Sequence, residues 1–427
     1  MVNVVSYTQK AGSMISLSTT LTPLLSKLSA GTEMASYGPQ QWNFLLGGGD
    51  INAYVVPSES ESESDTNDIG NDDQNENSVS LLGSLLRVEL NPSSTTATTD
   101  EDGSTSGTII TGASAAGFGM MLVSPAARGK GVAKLLLNEA INDDGNDNDN
   151  ENENDNDGIT SASASAAVDK KTPIRKLLPV CTPAGQAVYR KLGFSNVGKV
   201  TILSTDINTA RNIPLLIDDE NNNDCIINVK TFGSMRMVDD DDDDTATSCG
   251  TIDSKIKDLI IQMDSKATGY DRSKRLSFMM KNDPTDINGV KTIVATATTA
   301  SASNNNKHGD DNKDKDKVII GAAIIRREMI GGPYVIGPLM GSSNAALPLV
   351  KALANAIKLP NNDNDDNDGS KQKITVLLSD HAELVNEFKS IGSFEEGFNG
   401  PAMSLDGKSI YENGDGSYLG LIHPTLG

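Results

Sequence analysis

The sequence predicts an α/β fold (α+β, with a mixed sheet) arranged as two tandem domains. Three observations carry the prediction. Short strand-like runs alternate with amphipathic helical segments, the pattern of a sheet covered by helices. The order strand, proline, helix, acidic insert, strand, helix, glycine, phenylalanine occurs twice, as in an internal repeat. And 427 residues exceed one ordinary core and suit two. The expected domains are 1–215, with inserts near 58–77 and 143–170, and 225–427, with inserts near 239–250, 300–317 and 361–370.

The elements follow in order. LTPLLSKLSA at 21–30 places Leu21, Leu24, Leu25 and Leu28 at helical spacing. INAYVVP at 51–57 reads as a strand closed by Pro57. LLGSLLRVEL at 81–90 fits helix or strand, because a short apolar run has no decisive period. GFGMMLVSP at 117–125 is a strand ended by Pro125, and VAKLLLNEAI at 132–141 is a run of good helix formers. IRKLLPVCTPAG at 174–185 is a strand entering a turn, QAVYRKLGF at 186–194 a helix stopped by Gly193, and KVTILST at 199–205 another strand. The second round has strands at 225–232, 318–329, 334–340 and 374–380. Its helices fall at 256–267, 344–358 and 383–394, the last ending at Gly392. Pro348 requires a place near the first turn of its helix, where a missing N–H costs nothing.

The net charge of -22 is unevenly placed. The runs 58–77, 143–157, 239–244 and 361–368 hold 26 of the 58 acidic residues and no Lys or Arg, which leaves 32 acids against 36 bases elsewhere. The foldable part is close to neutral. The inserts lack apolar residues to offset the entropy of ordering and are expected to be solvated. An EF-hand reading of 143–157 fails, since no twelve-residue frame within the run supplies both the glycine and the glutamate that such a loop needs. Cys181, Cys225 and Cys249 are widely spaced, and His308, His381 and His423 are the only histidines, so no structural metal site is expected. Sparse cysteine use suits a reducing compartment. No apolar run reaches ~18 residues, so no membrane span is expected. The first residues are rich in Ser and Thr and acid-free before Glu33, which leaves organellar targeting open against a cytoplasmic default.

The most informative stretch is SPAARGKGVA at 124–133, between strand and helix. N–H groups in such a turn can converge on an anion, helped by the partial positive charge of the helix start. Gly129 and Gly131 let backbone approach a ligand closely, and Arg128 and Lys130 add positive charge. This is chemistry for a pyrophosphate. By contrast GFSNVGKV at 193–200 fits GxxxxGK but has Val200 where a phosphate loop needs Ser or Thr, and it follows a helix. The glycines at 47–49 read as a turn.

The stretch VSPAARGKGVAKLLL resembles the coenzyme motif of GNAT-type N-acetyltransferases, Arg/Gln-x-x-Gly-x-Gly/Ala, with Arg128, Gly131 and Ala133 at the matching positions. CTPAGQAVYRKLGF at 181–194 resembles a second segment of that family, a helix ending Tyr-x-x-x-Gly-Phe. The resemblance implies acetyl-CoA as co-substrate, held by Met121, Leu122, Val123, Arg128, Gly129, Lys130, Gly131, Val132 and Ala133, with no metal. It implies Tyr189 as the general acid for the leaving thiolate, a task that suits a phenol of pKa near ~10. Backbone donors for the thioester carbonyl are expected within Met120–Val123, and the acceptor is a small-molecule or peptide amine that attacks directly. Glu33, Asp50 and Glu89 lie in segments that could face it, though surface charge is the simpler role for each. No nucleic acid or membrane partner is implied, and the oligomeric state is left open.

The second half, through TGYDRSKRLSFMM at 268–280, GGPYVIGPLM at 331–340 and YLGLIHPTLG at 418–427, is similar to the companion domain of tandem GNAT proteins of the YitH kind. It has GSSNAALPLV where the first half has RGxG, so weak or absent coenzyme binding is expected there, and a role in shaping the cleft. Asp271 and Arg272 are candidates for that cleft, with a salt bridge or helix start as the simpler reading. Two other functions stay open: a catalytically silent acyl-CoA-binding or sensor protein, and a scaffold whose acidic tracts bind basic partners.

Overall fold

A computed structural model describes residues 4–8, 14–32, 37–47, 50–58, 80–93, 113–143, 173–214, 227–232, 252–280, 292–299, 318–327, 333–357, 372–379, 381–391, 394–412 and 414–423. The first half contains β1 (Val5–Thr8), α1 (Met14–Ala30), α2 (Pro39–Leu46), β2 (Ile51–Pro57), β3 (Leu81–Pro92), β4 (Ala115–Val123), α3 (Val132–Asn142), β5 (Arg175–Leu178), α4 (Pro183–Lys191), β6 (Ser195–Asp206) and α5 (Ile207–Arg211). The second contains β7 (Ile227–Phe232), α6 (Ser254–Thr268), β8 (Tyr270–Asp271), α7 (Ser273–Met279), β9 (Thr292–Thr299), β10 (Val318–Arg327), β11 (Tyr334–Gly341), α8 (Ser343–Ala356), β12 (Lys373–Ser379), α9 (Ala382–Ser390), β13 (Glu395–Ser404) and β14 (Tyr418–Gly420). The four acidic runs lie outside the described residues but for Ser58 and Asp143, as do Glu33, Cys225, Cys249, His308 and Gly392.

The class is mixed α/β, as the sequence predicts. One sheet runs β1-β2-β3-β4-β5-β13-β6-β12-β14-β11-β10-β9-β7. The pairs β4–β5 and β11–β12 are parallel and the remaining pairs antiparallel. Strands and helices recur in one order, so β4, α3, β5, α4 and β6 correspond to β11, α8, β12, α9 and β13. The halves are interleaved at the centre of the sheet. β13 of the second half lies between β5 and β6, pairing Met403 with Leu178 and Gly400 with Val200. β6 in turn pairs with β12, Val200 opposite Ser379.

Alternation along the strands feeds two helical layers. Ile51, Ala53 and Val55 of β2 join a core with α1, α2, α6 and α7, while Tyr54 and Val56 join a core with α3 and α4. A third core lies beneath α5, α8 and α9. The ambiguous run at 81–90 is a strand because helices cover both its faces, which permits a continuous apolar sequence. Pro348 departs from expectation. It is the sixth residue of α8, beyond the first turn, and the carbonyl it leaves without an N–H belongs to the exposed residue Asn344. Among the described residues no helix is long and apolar enough to cross a membrane.

Candidate active site

β4 is the centre of the site. It pairs with β5 only at Ala115, Ala116 and Gly117, so residues 118–123 splay away and leave one backbone edge of the strand unpaired by its neighbour. Against β3 the register slips: Leu86 faces Gly119 and Ser84 faces Leu122, which places Met120 and Met121 opposite the single residue Leu85. This is a β-bulge, a device that re-aims backbone groups beside functional sites. Met120 carries it with φ of 47°, the one non-glycine residue with positive φ among the described residues. The strand of Met121, Leu122 and Val123 thus has an open edge and a bulge at the start, with Leu122 buried and the other two half-buried.

The chain leaves β4 through a single 3-10 turn at Pro125–Ala127 and enters α3 at Val132. Within this turn the N–H groups of Arg128 and Lys130 donate to the Pro125 and Ala127 carbonyls, each at 3.3 Å. Those of Gly129, Gly131, Val132 and Ala133 have no acceptor among the described residues. Gly129 and Gly131 have φ of 76° and 84°, a left-handed conformation that glycine adopts without penalty. A Cβ added at either would meet nothing within 4 Å, so the backbone borders open space. Free N–H groups, a helix start and the exposed Arg128 and Lys130 form an anion cradle. The residues present fit a pyrophosphate.

Tyr189 lies on α4, which begins at Pro183 behind an N-cap in which the Gly185 N–H donates to Thr182 Oγ1 at 3.2 Å. Its ring packs against Phe194 at 6.3 Å between centroids and joins the core to which Met121 and Val123 also belong. Burial, and then the neighbouring Cys181, raise the Tyr189 pKa, so the phenol keeps its proton. Its hydroxyl has no partner among the described residues. Cys181 is buried, and burial pushes its thiol up to about 12, which makes it a poor nucleophile.

The second half has the same frame with different contents. Ala323 faces Leu339 and Ile325 faces Ile336, so Gly337 and Pro338 occupy the equivalent bulge. Pro338 stands where the first half has Met121 and has no N–H to offer an oxygen. The gap between β11 and β12 is filled: β14 pairs Gly420 with both Leu339 and Leu378. The Leu421 N–H donates to the Leu377 carbonyl at 2.8 Å. This occlusion was not visible in the sequence, where YLGLIHPTLG carries no sign of its destination.

The other candidates among the described residues make contacts within the protein. Asp50 is not a surface charge but pairs with the buried Arg275. Glu89 is exposed and lies 3.7 Å from Arg87. Arg272 is buried against Asp264, Nε to Oδ2 2.9 Å, and stacks over Tyr418 at 4.8 Å. Asp271 caps the Ser273 N–H at 2.9 Å, the helix-start role. The GxxxxGK stretch is the turn after α4 and the first residues of β6, so its Gly198 and Lys199 lie in a strand. Among the described residues no group of three or more His, Cys, Asp or Glu could hold a metal ion.

No protein-family model matches the chain, and no curated protein matches it. Among solved structures it is similar to an acetyltransferase, so named, from Pyrococcus horikoshii, at 11% identity over 100% of this chain and 96% of that one, with a TM-score of 0.49. It is also similar to a tandem GNAT protein from the clavulanic acid biosynthesis pathway, at 11% identity over 95% and 98% with a TM-score of 0.47. A GCN5-related N-acetyltransferase from Sphaerobacter thermophilus gives 9% identity over 94% and 95% and a TM-score of 0.43.

Proposed function

We propose that this chain is an N-acetyltransferase of the GNAT type that moves an acetyl group from acetyl-CoA to a primary amine while both are bound. One observation carries the reading: a splayed, bulged β4 leads directly into a cradle of free N–H groups at the start of α3. The cradle at 128–133 holds the pyrophosphate, and the open edge of 121–123 pairs with the extended arm of the coenzyme. The bulge N–H groups face the thioester carbonyl, where one such donor typically contributes ~3–4 kcal/mol at the transition state. Tyr189, protonated at neutral pH, gives its proton to the departing sulfur. The buried thiol of Cys181 favours direct attack over transfer through an acetyl-cysteine. The second half, lacking the bulge donor and with its gap filled, acts as a companion of the YitH kind that completes the acceptor side.

The test is thiol release from acetyl-CoA across a panel of primary amines. Amine-dependent release supports the assignment. Coenzyme binding without release for any amine leaves the silent acyl-CoA-binding protein in its place.

A further inference from the structure

A cavity of ≈ 260 Å³ lies in the seam between the halves. Its first-half wall is Pro179, the residue after β5, and Val197–Val200 of β6, and its second-half wall includes Ser379, His381, Ala402, Tyr411 and Tyr418. Met120 at the bulge packs against the same apolar cluster as Ala402, Tyr418 and Leu421, so the cavity and the bulge share one face of the sheet. His381 is half-buried at the start of α9, and its Nε2 lies 3.0 Å from the Tyr418 carbonyl oxygen. A carbonyl only accepts, so Nε2 carries a hydrogen, and in the neutral ring the lone pair is then on Nδ1. Among the described residues nothing else bonds the ring. The lining is mostly apolar, has the exposed Lys199 at its edge, and contains no acidic residue among the described ones.

We propose that this cavity binds the acceptor, that the acceptor is a small and largely apolar primary amine, and that His381 takes its proton. The inference rests on the acetyltransferase reading above. A polycation would find no carboxylate here to offset the desolvation of its second charge, whereas an arylalkyl amine buries its body against Val197, Ala402 and Tyr418. The ammonium gives one proton to Nδ1 of His381, and the free amine attacks the thioester carbon. As the C–N bond forms and the C–S bond breaks, the nitrogen loses a second proton. The sulfur takes one from Tyr189, which is replenished by that second proton. One proton leaves to water through His381, and the sum is amide, thiol and H⁺.

The experiment compares 2-phenylethylamine with spermidine as acceptors for the full chain, with calorimetric acetyl-CoA binding measured beside turnover. We expect 2-phenylethylamine to be preferred. His381→Ala is expected to lower kcat about 10²-fold or more with little change in coenzyme binding, and added imidazole to restore part of the rate. His381→Gln retains an N–H for the Tyr418 carbonyl but no base, and is expected to be as slow as His381→Ala, which separates proton transfer from support of the fold. A preference for spermidine, an undiminished kcat in either variant, or no recovery with imidazole overturns the proposal. If the wild-type chain turns over neither amine, failure of 2-phenylethylamine to bind the coenzyme-loaded protein overturns it too, and binding abolished by Ala402→Phe supports the pocket. Absence of acetyl-CoA binding in the wild-type chain strikes the parent reading instead.

Discussion

Replacing Gly337 by alanine tests whether the second half is closed to a coenzyme. The new Cβ would stand 1.8 Å from the Leu421 carbonyl oxygen, 2.8 Å from its carbon and 3.2 Å from the Ile422 Cα. A carbon and a carbonyl oxygen settle no closer than ~3.3 Å, so the backbone around Leu421 must move by roughly 1.5 Å. That is not a side chain swinging aside. The displaced segment holds the 2.8 Å bond from the Leu421 N–H to Leu377 and the bond from buried Arg326 to the Ile422 carbonyl. Overpacking costs about 1–3 kcal/mol, and each loosened hydrogen bond about 1 kcal/mol more, so the expected loss is ~3–5 kcal/mol. The control is Gly117→Ala on the corresponding strand of the first half, where a Cβ meets nothing within 4 Å. It is expected to lie within about 0.5–1 kcal/mol of wild type. Urea unfolding of both variants reads the difference. Equal stability of the two would refute the placement of β14 between β11 and β12.

Further expectations follow from the same contacts. Tyr189→Phe keeps the ring against Phe194 and removes only the hydroxyl, so kcat falls by about 10²-fold while the melting temperature stays put, as steady-state kinetics and thermal unfolding will show. Arg272→Met strands the buried Asp264 carboxylate and costs about 3–5 kcal/mol, whereas Arg272→Met with Asp264→Leu loses less than the single change; a double-mutant cycle in urea measures both. Burial alone would raise the Asp406 carboxyl, but the Arg175 guanidinium and the Lys408 N–H outweigh it and bring the pKa down to about 2. Its folded pKa lies below the ordinary ~3.9, so its contribution is complete above about pH 4 and is lost as pH falls through about 2. Discounted for partial exposure, that is on the order of 1 kcal/mol, and Asp406→Asn removes this part of the pH dependence of unfolding.

Much of the site was legible because it is local. The cradle needs only consecutive residues, Arg128 to Ala133, and a strand ended by Pro125 before a run of helix formers. Gly193 stops α4 in a left-handed conformation as its position suggests. The strand exchange was not legible. Which partner β6 takes depends on pairings between residues far apart, Val200 with Gly400 and with Ser379, and neither segment's pattern distinguishes its own half from the other. Tyr418–Gly420 is too short to show a period, and its burial between two strands depends on Gly337 being a glycine some eighty residues earlier. Arg272 and Asp50 were visible as charges, but only the fold pairs them with Asp264 and Arg275. His381 had no motif around it, and its bond to the Tyr418 carbonyl exists only once β14 is in place.

The central claim, that one coenzyme binds in the first half, is tested by calorimetric titration of acetyl-CoA. The wild-type chain is compared with Arg128→Ala/Gly131→Glu. A side chain at Gly131 enters open space, and its positive φ costs only ~1–2 kcal/mol, so the variant folds and lost binding reports on the cradle. One equivalent is expected for wild type and none for the variant. Two equivalents, or binding retained in the variant, would contradict the placement, and no binding by the wild-type chain would contradict the acetyltransferase reading itself.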